Sequence, residues 1–124
     1  MAVIEDDSSF RRALSRSLVL RGFRSEVFAS AEDFLQHGAS LYPDCIVLDI
    51  HLGGMSGFEL QSELARRPSR PPIIFITAFD DPATRERALE AGAAGYLQKP
   101  FDEDSLLQAI ERAGFAPSGP LPAT

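Results

Sequence analysis

Cys45-Ile46-Val47-Leu48-Asp49 decides the fold: four apolar residues run without interruption into a carboxylate. A strand that alternates apolar and polar residues has one wet face, whereas a strand apolar at every position is covered on both. Ile73-Ile74-Phe75-Ile76 repeats the arrangement and runs into Thr77. Ala2 to Glu5 and Gly95 to Gln98 are shorter versions, followed by Asp6-Asp7 and by Lys99. Amphipathic stretches separate these runs, so the chain reads as repeated strand–helix units, the signature of a parallel sheet.

The stretches between the strands carry helix signals. After Asp6-Asp7 a helix is predicted with Ser8 or Ser9 as N-cap, its apolar face set by Phe10, Ala13, Leu14 and Leu18 and its end by Gly22. Arg24 to Phe28 alternates and is short, which suits an edge strand. Ser30-Ala31-Glu32-Asp33 opens a second helix with acids in its first turn, favourable to the helix dipole. A third helix carries Phe58, Leu60 and Leu64 after the loop Gly53-Gly54-Met55-Ser56-Gly57, and Pro68, Pro71 and Pro72 forbid its continuation. A fourth starts near Asp81-Pro82 and runs to Gly92. The last opens at Asp102, where Phe101 and Leu106 have the spacing of a hydrophobic staple, and ends near Ala113-Gly114. That makes five strands and five helices in alternation over residues 1–115. Residues 116–124 are rich in Pro, Ser, Gly and Ala and read as a tail or the start of a linker.

At 124 residues, with 44% hydrophobic and 24% charged residues, the chain has the length and composition of one globular domain. A net charge of −6 and the lack of a Lys/Arg cluster argue against direct nucleic-acid contact. No apolar run has the length of a membrane span, and the first residues do not form a signal peptide. The single Cys45, embedded in an apolar run, reads as a buried residue of a reducing compartment, so a cytoplasmic setting is expected.

In an open parallel sheet, ligands bind at the carboxyl ends of the strands. That edge is where Asp6, Asp7, Asp49, Thr77 and Lys99 are predicted to meet. Taken singly, each has an ordinary explanation: Asp6-Asp7 as helix caps, Thr77 as a strand end, Lys99 as a solvated lysine. Together they form three mutually repelling carboxylates, a hydroxyl and an ammonium. A hard divalent cation such as Mg²⁺ relieves the repulsion. One carboxylate then serves as nucleophile towards phosphorus, with Thr77 and Lys99 facing the phosphoryl oxygens. Gly53-Gly54 with Gly57 lacks the Lys-Ser/Thr ending and spacing of a P-loop. His51 has no second His or Cys at ligand spacing and is not read as a transition-metal ligand.

Five stretches in order resemble the response-regulator receiver domains of two-component signalling. They are Ile4-Glu5-Asp6-Asp7, Ile46-Val47-Leu48-Asp49, Gly54-Met55-Ser56-Gly57, Ile76-Thr77-Ala78, and Gly92 through Lys99-Pro100-Phe101. The resemblance covers residues 2 to 114. It implies a single doubly wound, flavodoxin-like α/β domain, a five-stranded parallel sheet in the order 2-1-3-4-5 with helices on both faces. It also implies that Asp49 accepts a phosphoryl group from a sensor histidine kinase or phosphotransfer protein. Asp7 would ligate Mg²⁺ directly, Asp6 mainly through water, with Asp49 and the main-chain carbonyl of His51 completing the protein's share. Lys99 would pair with Asp49 and then with the phosphoryl group, Thr77 would move to that group, and Tyr96 would swing inward. Pro100 would follow a cis peptide bond. The output surface would be the fourth helix, last strand and last helix, residues 82 to 113, through which many relatives form homodimers.

The segment Ile76 to Asp81 and the Lys99-Pro100-Phe101 ending look most like receivers fused to helix-turn-helix transcription factors, which implies a transcriptional output. Such a domain is a signalling switch, not an enzyme beyond its own phosphorylation and dephosphorylation. Two positions depart from many relatives: Gly53 stands where Pro is common, and Ser8 where many carry another acid or a His. His51 and Phe79 occupy the variable positions flanking the approach to the phosphoryl group. The rival reading is a receiver-like protein-binding module independent of phosphorylation, against which intact Asp49, Thr77 and Lys99 argue. A phosphatase of the haloacid dehalogenase type would need Asp-x-Asp on the first strand and a cap insertion, and neither is present.

Overall fold

The computed structural model describes residues 1–37, 43–68 and 70–114. The predicted tail, 116–124, and the boundary at 115 lie outside the described residues. Strands β1 (Ala2–Ile4), β2 (Glu26–Phe28), β3 (Ile46–Asp49), β4 (Ile73–Thr77) and β5 (Gly95–Gln98) alternate with helices α1 (Ser8–Leu20), α2 (Ala31–His37), α3 (Gly57–Ala65), α4 (Pro82–Glu90) and α5 (Glu103–Arg112). All strand pairs are parallel, in the order β2-β1-β3-β4-β5. The register aligns Leu48 with Ile4 on one side and with Phe75 on the other, so the strand ends form one continuous edge.

Side chains alternate between the two faces of the sheet, and each face has its own core. Ile4, Ile46, Leu48 and Phe75 pack with Phe34 of α2, Phe58, Leu60 and Leu64 of α3 and Ala88 of α4. Val3, Val47, Ile74 and Ile76 pack with Leu14 and Leu18 of α1 and Leu106, Ala109 and Ile110 of α5. Three helices therefore cover one face and two the other, which explains why β3 and β4 are apolar throughout. β2, which pairs with β1 alone, is an edge strand, as its alternation suggests.

Local chemistry sets the helix starts. Ser56 and Glu59 form a reciprocal capping box on α3, while Asp81 and Asp102 cap α4 and α5. The cap of α1 is Asp7, whose Oδ1 accepts the Phe10 amide at 3.0 Å, rather than Ser8 or Ser9. Gly57 brings α3 hard against the strand edge: a Cβ there would lie 2.4 Å from the Asp49 carbonyl oxygen. Its amide donates to the Ile50 carbonyl at 2.9 Å.

Candidate functional site

Every strand but β2 delivers a polar residue to the same edge of the sheet. Glu5 and Asp6 follow β1, Asp49 and Thr77 are the last residues of β3 and β4, and Lys99 is the first after β5. Burial separates them. Glu5 and Thr77 are 0% exposed and Asp49 is 4% exposed, whereas Asp6 lies open to solvent. A buried carboxylate needs compensating partners, and both have them.

The Lys99 ammonium ties the pocket together. Its Nζ donates to Asp49 Oδ2 at 3.0 Å and also to Glu5 Oε1. The same Nζ sits 4.8 Å from the centre of the Phe10 ring, which shields the pair on the α1 side. Asp49 Oδ1 accepts the His51 amide at 3.0 Å, and Glu5 Oε2 accepts the Asp7 amide at 3.2 Å. The Lys99 amide donates to the Thr77 carbonyl at 2.7 Å, fixing the start of the β5–α5 loop, and the Lys99–Pro100 peptide is cis.

Electrostatics follow from this crowding. Burial pushes the Glu5 carboxyl up to about 7; the Lys99 hydrogen bond opposes that rise and neighbouring Asp49 reinforces it. For Lys99, burial alone would lower the pKa, but its bonds to Glu5 and Asp49 outweigh this and leave it raised. The lysine is thus held as a cation between two acids.

The arrangement corrects the sequence reading at one point. Glu5, Asp6 and Asp49 each present an oxygen within 4.8 Å of the others, and Asp7 is not part of that cluster. The backbone leaves β1 at Ile4, so residues 5 and 6 still lie over the sheet edge. Residue 7 has already turned into α1, where its carboxylate is spent on the helix cap. Sequence pattern alone places Glu5 at the end of the first strand and so leaves it out of the pocket. The available signal was that Glu5 is the first polar residue after an apolar run, the place Asp49 holds on β3.

Around the acceptor, Thr77 Oγ1 accepts the Phe79 amide at 2.9 Å. The Phe79 ring meets the His51 ring edge-on, with centroids 5.1 Å apart. Half-buried Tyr96 donates its hydroxyl to Asp80 Oδ1 at 2.9 Å, a partner the sequence did not reveal. Cys45 is buried, and no described helix is long and apolar enough to cross a membrane.

The response regulator receiver domain family matches residues 1–111. Among curated proteins, Nodulation protein W of Bradyrhizobium diazoefficiens is 41% identical over 111 residues, covering 90% of this chain and 49% of that protein. The DNA-binding transcriptional regulator NtrC of Escherichia coli K12 is 37% identical over 111 residues, covering 90% of this chain and 24% of that protein. The chain thus spans about half the length of the first relative and about a quarter of the second. Of solved structures, the response regulator StyR superposes with a TM-score of 0.82 at 44% identity, covering 90% of this chain and 57% of that one. Receiver domains act in phosphorylation-dependent signalling, as switches rather than catalytic enzymes, and transcription regulators are among these homologues. Because the match runs through all four strand ends that build the pocket, the chain belongs to the response regulator receiver domain family.

Proposed function

We propose that Asp49 accepts a phosphoryl group from a phosphohistidine of a sensor histidine kinase or phosphotransfer protein. An Asp49 carboxylate oxygen forms the new P–O bond as the P–N bond breaks, and the departing imidazole keeps the electron pair. The observation that carries this reading is the Lys99 ammonium bridging Asp49 and Glu5 in a buried crevice. It orients the acceptor before transfer and sits where negative charge accumulates afterwards.

The acidic cluster suits Mg²⁺. Its donors are hard carboxylate oxygens from Glu5, Asp6 and Asp49, close enough to share one ion. These three residues, with the main-chain carbonyl of His51, would hold it. When bound, Mg²⁺ supplies positive charge that offsets both the carboxylates and an incoming phosphoryl group. Asp7 takes no part; it keeps α1 capped.

Thr77 then turns its hydroxyl to the phosphoryl group and Tyr96 changes position. The readout passes to α4, β5 and α5, the surface through which the activated domain would form a homodimer. The output is transcriptional, a reading supported by the DNA-binding transcriptional regulator NtrC among the relatives, and the setting is cytoplasmic. Residues 1–115 form the receiver unit, with 116–124 as tail or linker, and nucleic-acid contact falls to another part of the regulator.

Incubation with acetyl phosphate and Mg²⁺, read by intact mass, tests the reading. Wild type should gain about 80 Da, one phosphoryl group, and Asp49→Asn should gain nothing. No gain in wild type with acetyl phosphate or with a histidine kinase, and partner binding unchanged in Asp49→Asn, would establish a phosphorylation-independent module instead.

A further inference from the structure

Three consecutive residues after β4 are each fastened to a different part of the molecule. The Phe79 amide donates to Thr77 Oγ1 at 2.9 Å. Asp80 is held through both carboxylate oxygens: Oδ1 accepts the Tyr96 hydroxyl at 2.9 Å and Oδ2 accepts Arg85 Nη2 at 2.6 Å. Asp81 Oδ1 accepts the Thr84 amide at 2.8 Å and so starts α4. The Arg85 guanidinium also lies 5.2 Å from the centre of the Tyr96 ring. Asp80, Tyr96 and Arg85 therefore close a triangle joining the β4–α4 loop, the last strand and α4.

The first two attachments are coupled because residues 79 and 80 are covalent neighbours. Turning Thr77 about χ1 takes Oγ1 away from the Phe79 amide and leaves that amide in search of another acceptor. Moving the amide to find one displaces Asp80, which both Tyr96 and Arg85 resist. The carboxylate is the better held because each of its oxygens accepts a charge-assisted bond, one from Arg85 and one from Tyr96. Charge fits the geometry. Arg85, then Tyr96, holds the Asp80 carboxyl below its ordinary range, so the acceptor stays ionised at neutral pH.

We propose that Asp80 is a positioning residue that clamps the β4–α4 loop onto Tyr96 and Arg85 and so keeps the Thr77 hydroxyl off the acceptor pocket until phosphoryl transfer. The inference rests on Asp49 being the phosphoacceptor and adds the restraint that transfer must overcome. Asp80 bonds Tyr96 and Arg85 rather than Asp49. It acts through Phe79 on Thr77 and directly on Tyr96, so one side chain sets both groups that respond to phosphorylation.

The test compares wild type, Asp80→Ala, Tyr96→Phe and the double variant for labelling rate with acetyl phosphate and Mg²⁺. Hydrogen exchange of the Phe79 amide is measured by NMR before labelling. Releasing the clamp should speed labelling of Asp80→Ala roughly fivefold, the factor that goes with one net hydrogen bond. Phe79 exchange should rise in the same variant while its melting temperature stays near that of wild type, which separates the clamp from general loosening. Tyr96→Phe should give a smaller gain, and the double variant should be no faster than Asp80→Ala, because both changes open the same triangle. Unchanged or slower labelling of Asp80→Ala beside a normally labelled wild type would overturn the clamp and leave the phosphoacceptor reading standing. Failure of every variant, wild type included, to label with either acetyl phosphate or a histidine kinase would overturn both.

Discussion

Replacing Glu5 by Gln should make the metal-free domain more stable at pH 8 and leave it nearly unchanged at pH 5. Glu5 is fully buried, with Lys99 on one oxygen, the Asp7 amide on the other and Asp49 as a neighbour. Burial first, then Asp49, pushes its carboxyl from an ordinary 4.5 up to about 7, against the pull of Lys99. A raised folded-state value means that the folded protein holds the proton more tightly than the unfolded chain. The associated stability is complete below pH 4.5 and is lost as pH rises through 7. At about 1.4 kcal/mol per pH unit, the loss over that window is about 3 kcal/mol. Gln keeps the shape and an acceptor oxygen for Lys99 but cannot ionise, so its curve should be flat across the window. The gap at pH 8 corresponds to a melting temperature on the order of 10 °C higher for Glu5→Gln. Because the pocket's acids and Lys99 titrate as a group, the midpoint belongs to the cluster, and the wild-type-minus-variant difference is the quantity to follow. Thermal melts in EDTA at pH 5, 6, 7 and 8 measure it. Adding Mg²⁺ at pH 8 should raise wild type and close most of the gap. A difference that does not change with pH, or a wild type that gains on the variant as pH rises, would refute the account of Glu5 as a strained buried acid.

Other consequences follow from the same geometry. Lys99→Ala strands two buried carboxylates and should cost about 3 kcal/mol at pH 8, with much of the loss recovered at pH 5 as they protonate. The variant should still be labelled slowly by acetyl phosphate but fail to dimerise in response, as sedimentation would report. Gly57→Ala drives a Cβ to 2.4 Å from the Asp49 carbonyl and 2.9 Å from Ile50 Cα, both backbone atoms that cannot yield cheaply. It should lose about 2 kcal/mol in urea melts. Gly53→Ala meets nothing within 4 Å and should instead gain about 0.5 kcal/mol by restricting the unfolded chain. Burial, then the charge of Asp44, pushes the Cys45 thiol up to about 12, so a disulfide reagent should react only as fast as the protein unfolds.

Much of the molecule is written in local pattern. A run such as Ile46-Val47-Leu48 must be covered on both faces whatever its neighbours, and residues spaced like Leu14 and Leu18 share one helical face. Those rules depend on backbone geometry and burial alone, which is why the α/β alternation, the edge strand and the meeting of Asp49, Thr77 and Lys99 at one sheet edge could be read from the chain. Proline and cap residues likewise marked the start of α4 and α5 within a residue of their places.

Tertiary structure decided which acids enter the pocket and what restrains the switch. Glu5, Asp6 and Asp7 are equivalent carboxylates in a row, and nothing in their order says where β1 ends. Pairing with β2 and β3 ends the strand at Ile4, and that choice sends Glu5 to Lys99 and Asp7 to the Phe10 amide. Tyr96 and Asp80 are 16 residues apart, and Lys99 and Glu5 are 94 apart. Neither pairing has a sequence period to announce it. Local pattern selects the elements because each residue's φ, ψ and burial are settled within a few neighbours. The partners of a charged side chain are settled only when distant strands pack into one sheet.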